Sequence, residues 1–268
     1  MHACQREFAE ASTELTDKVV HHGYHRFYPW FLREFKGKEV RLLEIGLDRL
    51  GSVRLWRRYF AEGLCLHGID RDEKHSDDTS AQFHKVDQGS AEELQRFAAT
   101  VGTAFDVIVD DGSHVPGHQI LSLTILWSLL VPGGLYIIED IETSFWKKSR
   151  FYGYRFDARK SSENLVSQLK AAVEAVNCEF LPQRLKRRLR KHSLASVLAD
   201  IEMVSFGQNC IVLLKKDAAS FGEFYGRKYR LADFVGLDHW LVGNWRRIQW
   251  YGIKGFFHRV LRRVLSGE

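Results

Sequence analysis

Short apolar runs alternate with amphipathic stretches through the first half of this chain, and most runs stop at an acid or a glycine. Residues 40–45 (VRLLEI) predict a strand that stops at Gly46, followed by a helix from about Ser52 to Ala61. Residues 64–69 (LCLHGI) predict a second strand ending at Asp70, and residues 83–86 a weaker third. Residues 90–100 (SAEELQRFAAT) have helical spacing, and Ser90 with Glu93 fits the S-x-x-E capping box, in which each side chain satisfies the other's backbone N–H. Residues 105–109 (FDVIV) predict a strand running into Asp110-Asp111, residues 115–130 a helix, and residues 135–138 (LYII) a strand running into Glu139-Asp140. Strands alternating with helices in this way predict βαβ units and a parallel sheet. Farther on, residues 162–176 predict a helix. Residues 201–205 and 210–215 flank Phe206-Gly207-Gln208-Asn209 and predict a hairpin. Residues 240–265 carry apolar side chains at 253, 256, 257, 260, 261 and 264, the spacing of an amphipathic helix.

The longest uncharged run, residues 120–138, is long enough to span a bilayer. Pro132-Gly133-Gly134 interrupts it, so a buried helix, a tight turn and a buried strand are expected instead. The first fifteen residues lack the apolar stretch of a signal peptide. With 268 residues, 45% hydrophobic and 27% charged, the composition is that of a globular chain and excludes a disordered or collagenous one. Cys4, Cys65, Cys178 and Cys210 are widely spaced with no CxxC pair, which predicts reduced thiols and a cytoplasmic location. The net charge of +5 is unevenly placed. Residues 183–192 (QRLKRRLRKH) hold six Lys and Arg with no acid, and residues 239–268 carry a net +5, so the remaining body is acidic.

The chemistry sits where the predicted strands end. In an open parallel sheet, ligands bind outside the carboxyl ends of the strands. Gly46 lets backbone approach a ligand with no Cβ in the way, and Asp70 at the end of the second strand can accept both hydroxyls of a ribose. Together they predict a nucleoside site, although EIGLDRLGS is not the dinucleotide GxGxxG, since Asp48 stands at the central glycine. Asp111, Glu139 and Asp140 bring three carboxylates to neighbouring strand ends. Packed carboxylates repel and call for a cation or protons, and oxygen-only ligands favour Mg²⁺. His114, three residues after Asp111, is placed to take a proton from a metal-bound hydroxyl. A helix cap for the acids and an ordinary surface role for the histidine are the plainer alternatives.

The run FDVIVDDGSH followed by LVPGGLYIIEDIETSFW resembles the metal-dependent sugar O-methyltransferases, of the kind that methylate macrolide sugars. Thr16-Asp17-Lys18, His22-Gly23-Tyr24, Tyr28 and the stretch LLEIGLDRLGSVRLWRRYF are similar to the same family, and the likeness covers roughly residues 16–150. It implies an α/β, Rossmann-like class I methyltransferase fold: a mostly parallel seven-stranded sheet ending in an antiparallel hairpin, with helices on both faces. The expected division is an N-terminal helical cap at 1–36, an S-adenosylmethionine-dependent domain at 37–216 and, from its charge and aromatic content, a basic aromatic extension at 217–268. S-adenosylmethionine would bind at Glu44, Gly46, Ser52 and Asp110, with its ribose on Asp70 and its adenine near Asp87 and Gln88. The segment carrying Thr16 and Lys18 would close over it. Mg²⁺ would sit on Asp111, Glu139 and Asp140, with Asp111 and His114 catalytic and His114 the base. One departure is Leu50, where relatives tend to carry a glycine.

The implied acceptor is a sugar hydroxyl of a glycan, glycolipid or glycosylated metabolite. A homo-oligomer is compatible with these features. Residues 239–268, with six aromatic residues beside six Lys and Arg, fit a helix lying on the anionic inner face of a membrane, or equally one packed on the body. No nucleic-acid motif accompanies the charge. The alternatives in other classes are a nicotinamide oxidoreductase, which Asp48 argues against, and a membrane-associated binding module with a degenerate site, which the intact acid cluster argues against.

Overall fold

The computed structural model describes residues 1–12, 16–72 and 81–218. The strands are β1 (Val40–Ile45), β2 (Leu64–Asp70), β3 (Gln82–Lys85), β4 (Phe105–Asp110), β5 (Leu130–Glu139), β6 (Lys148–Phe151), β7 (Tyr154–Asp157), β8 (Ile201–Gly207) and β9 (Cys210–Lys215). Seven of them form one sheet in the order β3-β2-β1-β4-β5-β9-β8. β1 to β5 pair in parallel, while β9 runs antiparallel to both β5 and β8. This is the Rossmann-like arrangement expected. Strand order reverses between β1 and β4, and such a switch point opens a crevice at the carboxyl ends of the strands.

The helices are α1 (Ala3–Ala11), α2 (Asp17–Val20), α3 (Tyr28–Leu32), α4 (Gly51–Phe60), α5 (Ala91–Thr100), α6 (Pro116–Leu126), α7 (Leu165–Leu169), α8 (Ala172–Val176), α9 (Gln183–Arg190) and α10 (Ala195–Ala199). Phe8 of α1, Tyr28 and Leu32 of α3, and Leu55 and Trp56 of α4 pack on Leu42, Leu66, Val107, Val109 and Ile137 of the sheet. The alternate strand residues Leu43, Ile108, Tyr136 and Ile138 are buried as well. Burial on both faces is why these strands read as continuous apolar runs.

Several local expectations are corrected. Pro132-Gly133-Gly134 lies inside β5, not in a turn before it. Leu130 pairs with Phe105 and Leu135 with Val107, so the intervening residues form a bulge, where a proline without an N–H is tolerated. The helix expected over 115–130 ends at Leu126 and tightens into a 3-10 turn over Trp127–Leu129. The single helix expected over 162–176 is two short ones. Asn164 caps α7 by accepting from the Ser167 N–H, which delays its start, and three-residue hydrogen bonds from the Ala171 N–H to Gln168 and from the Val173 N–H to Lys170 separate α7 from α8. The capping box at Ser90 is half formed: Ser90 accepts from the Glu93 N–H, while Glu93 accepts from the Asp87 N–H, not from that of Ser90. The β6–β7 hairpin is absent from the sequence expectations.

The chain divides into two compact units, residues 1–176 with 189–216, and residues 177–188 with 217–268. The sheet belongs to the first. The basic run at 183–192 includes α9, on which Arg184, Arg187, Arg188 and Arg190 are exposed. The amphipathic helix expected at 240–265 and the basic tail at 239–268 lie outside the described residues. All four cysteines are free thiols. Among the described residues no helix is long and apolar enough to cross a membrane.

Candidate active site

The turns after β1, β2, β3 and β4 enclose a cleft of about 400 Å³, the lower range of small-molecule sites. Gly46, at φ +84°, makes the first turn possible. A Cβ there would collide with the backbone carbonyl of Asp111, so glycine lets the β1 turn lie directly against the β4 turn. Leu50 occupies the left-handed region at φ 62° just before α4, a conformation glycine adopts without strain. Asp70 accepts from the Leu47 N–H through Oδ2 and from the Asp72 N–H through Oδ1, both at 3.0 Å. Asp87 accepts from the Gly89 N–H at 2.7 Å. Gln88 Oε1 accepts from the Ser113 N–H at 2.8 Å. Thr16, Gly46, Ser52, Asp70, Asp87, Gln88, Asp111 and His114 all line the cleft.

Three residues expected on the cofactor are buried and do not line the cleft. Asp110 is wholly buried and accepts from Gln88 Nε2 at 2.6 Å and Ser122 Oγ at 2.5 Å; burial pushes its carboxyl up to about 6. Glu44 accepts from Ser52 Oγ at 2.8 Å, and burial pushes it up to about 7 against the pull of Lys18. Lys18 is fully buried, its Nζ 2.6 Å from Asp111 Oδ2, 2.8 Å from Glu139 Oε2 and 3.5 Å from Glu44 Oε1. Burial alone would release its proton; the three carboxylates together hold it cationic.

On the far side of the rim, Asp111, His114 and Asp140 bring one ligand atom each to within 4.8 Å of one another. His114 stands 4.0 Å from Asp111 Oδ1 through Nε2 and 3.7 Å from Asp140 Oδ2 through Nδ1. It is 8% exposed, and its buried Nδ1 has no hydrogen-bond partner. His114 and Asp140 both hold left-handed backbone, at φ 54° and 50°. Thr143 Oγ1 secures the first by donating to the His114 carbonyl at 2.5 Å. The Asp111 and Asp140 carboxylates, converging on one point, fit a hard divalent cation. Glu139, expected in the same set, sits at this rim with Oε1 accepting from Tyr28 and Oε2 from Lys18, at 2.7 and 2.8 Å.

Several contributors carry no role that the sequence alone assigns. Tyr24 and Asn209 both donate to Asp140 Oδ1, at 2.8 and 2.9 Å. Tyr152 and Tyr154 of the β6–β7 hairpin line the cleft. Gly153, at φ 87° between two aromatic runs, was the legible hairpin signal.

No family model matches the chain. The mycinamicin VI 2''-O-methyltransferase of Micromonospora griseorubida is 33% identical over 169 residues, which are 60% of this chain and 41% of that protein. The 8-demethyl-8-alpha-L-rhamnosyl tetracenomycin-C 2'-O-methyltransferase of Streptomyces olivaceus is 33% identical over 181 residues, 64% of this chain and 46% of that one. Among solved structures, the MycE methyltransferase of the mycinamycin pathway, in complex with Mg, SAH and mycinamycin VI, superposes with a TM-score of 0.65 at 27% identity. The match covers 78% of this chain and 53% of that one. The chain thus spans less than half the length of the curated relatives it matches. The strand order is that of the Rossmann-like class I methyltransferase fold. Within that class, the domain is similar to the mycinamicin VI and rhamnosyl tetracenomycin-C O-methyltransferases.

Proposed function

We propose that this chain is an S-adenosylmethionine-dependent O-methyltransferase that uses Mg²⁺ to methylate a sugar hydroxyl of a glycan, glycolipid or glycosylated metabolite. The observation that carries the reading is the pairing of a nucleoside-sized cleft with Asp111, His114 and Asp140 at its mouth. Asp70 is placed for a ribose and Asp87 and Gln88 for a base, while Glu44 and Asp110 shape the cleft from below. Asp111 and Asp140 would hold the cation. When bound, the two groups supply the methyl donor and a Lewis acid that lowers the pKa of an acceptor hydroxyl. His114, set between Asp111 and Asp140, takes the hydroxyl proton as general base. The carboxylates on either side of it compensate the charge it gains. Fixing the acceptor oxygen beside His114 supplies the remaining advantage through orientation.

Calorimetric titration of S-adenosylmethionine and of NADH, with and without Mg²⁺, tests the class. Binding of the methionine cofactor alone supports it, and binding of NADH overturns it. Turnover on a glycosylated acceptor should stop with EDTA and return with Mg²⁺; an EDTA-insensitive enzyme removes the metal.

For location, the reading is cytoplasmic, with residues 239–268 on an anionic membrane face, supported by their mix of basic and aromatic residues. Co-sedimentation with anionic but not neutral vesicles, lost on deleting 239–268, is the expected result.

A further inference from the structure

We propose that Lys18 and Tyr24, from the segment preceding β1, are positioning residues that fix which oxygen of each rim carboxylate faces the cation. This rests on the function proposed above.

The two candidate ligands are divided in the same way. Asp111 turns Oδ2 to the Lys18 ammonium at 2.6 Å and leaves Oδ1 on the side of His114. Asp140 turns Oδ1 to the Tyr24 hydroxyl at 2.8 Å and leaves Oδ2 on the side of His114. Neither inward oxygen is held by chance contact at the surface, because Lys18 and Tyr24 are both fully buried. The Tyr24 ring is also clamped: it stacks on Tyr28 at 5.1 Å and on His22 at 5.2 Å. Its hydroxyl therefore has a fixed address, and so does the carboxylate oxygen it holds.

Glu139 is held by the same shell. Tyr28 donates to its Oε1 and Lys18 to its Oε2. One ammonium therefore anchors two carboxylates, Asp111 through Oδ2 and Glu139 through Oε2. A carboxylate whose one oxygen is pinned cannot rotate, so the other is presented in a single orientation. Groups of this kind typically change metal affinity by about 10- to 100-fold when removed.

Core filling is the competing account of Lys18 and Tyr24. It predicts that their loss lowers stability and leaves cation affinity alone, so affinity is the quantity to measure. Mn²⁺ serves as the probe, with free ion counted by electron paramagnetic resonance on the full chain. Tyr24→Phe removes one hydroxyl without changing ring volume. Because Asn209 holds the same oxygen of Asp140, it is made alone and with Asn209→Ala. The double variant should bind Mn²⁺ at least about tenfold more weakly, with metal-free S-adenosylmethionine affinity within about twofold of wild type. Lys18→Met should weaken Mn²⁺ binding too, with partial recovery in Lys18→Arg. If Lys18→Met does not fold, the Tyr24 and Asn209 variants decide. Unchanged Mn²⁺ affinity in the double variant, whatever its melting temperature, overturns the shell alone. A wild-type chain that fails to bind Mn²⁺ overturns the metal reading and the shell with it.

Discussion

The phenol of Tyr154 donates to both carboxylate oxygens of Asp87, at 3.0 Å each. This ties the β6–β7 hairpin to the turn after β3, and so across the cleft. The same hairpin sets the Tyr152 ring 5.9 Å from the His114 ring. Tyr154→Phe should therefore loosen the hairpin and raise the Kd for S-adenosylmethionine by about tenfold, the low end for a hydrogen bond to a charged group. Calorimetry reads this directly. An unchanged Kd would show that the hairpin does not shape the cofactor side.

His114→Ala should lower kcat by about 10²- to 10⁴-fold, the usual contribution of a general base. The turn itself should survive, because Thr143 holds the backbone carbonyl of residue 114 and not its ring. S-adenosylmethionine affinity should stay close to wild type. A Kd that rises in step with the loss of rate would remove the base role.

Gly46→Ala should be damaging for two separate reasons. The left-handed backbone costs a residue with a Cβ roughly 1–2 kcal/mol. The new methyl also meets the Asp111 carbonyl, forcing the β1 and β4 turns apart. A melting temperature lower by several degrees and loss of S-adenosylmethionine binding are expected together. A variant with native stability and affinity would contradict the close packing of the two turns.

The pH dependence of stability should contain a contribution far from the site. His67 Nδ1 and His84 Nε2 are 3.2 Å apart, with rings stacked at 2°. Burial lowers the pKa of both, and for His67 the proximity of His84 adds to it. The unfolded chain thus takes up protons first, so this stability is present above about pH 6.5 and lost as pH falls below it. The melting temperature should drop between pH 7 and 5.5, and His84→Gln should shrink the drop. An equal drop in the variant would assign the effect elsewhere.

The sheet was legible because burial on both faces wrote each strand as an apolar run, and the rim because acids stood where those runs stopped. Asp70, Asp111, Glu139 and Asp140 could be placed this way with little more than strand ends. Lys18 could not. As part of a segment resembling a cofactor cap it is expected on the ligand, and only closure of the fold shows it buried against acids 93 and 121 residues away. Tyr24 and Asn209 act on Asp140 across 116 and 69 residues, and no local pattern encodes such a meeting. The helix expected at 162–176 failed for a different reason. Its apolar spacing is real, but Asn164 ties its side-chain amide to the carbonyls of Ser144 and Ala158 and so serves as a cap outside the helix.

The antiparallel return of β9 beside β5 gives the site an order of completion during synthesis. Asp111, Glu139 and Asp140 leave the ribosome as near neighbours, yet the amide that helps orient Asp140 follows 69 residues later. A nascent chain halted before residue 209 carries all its rim acids and lacks part of the frame that aims them. On the function proposed above, the geometry that suits a cation therefore arrives with the β8–β9 pair.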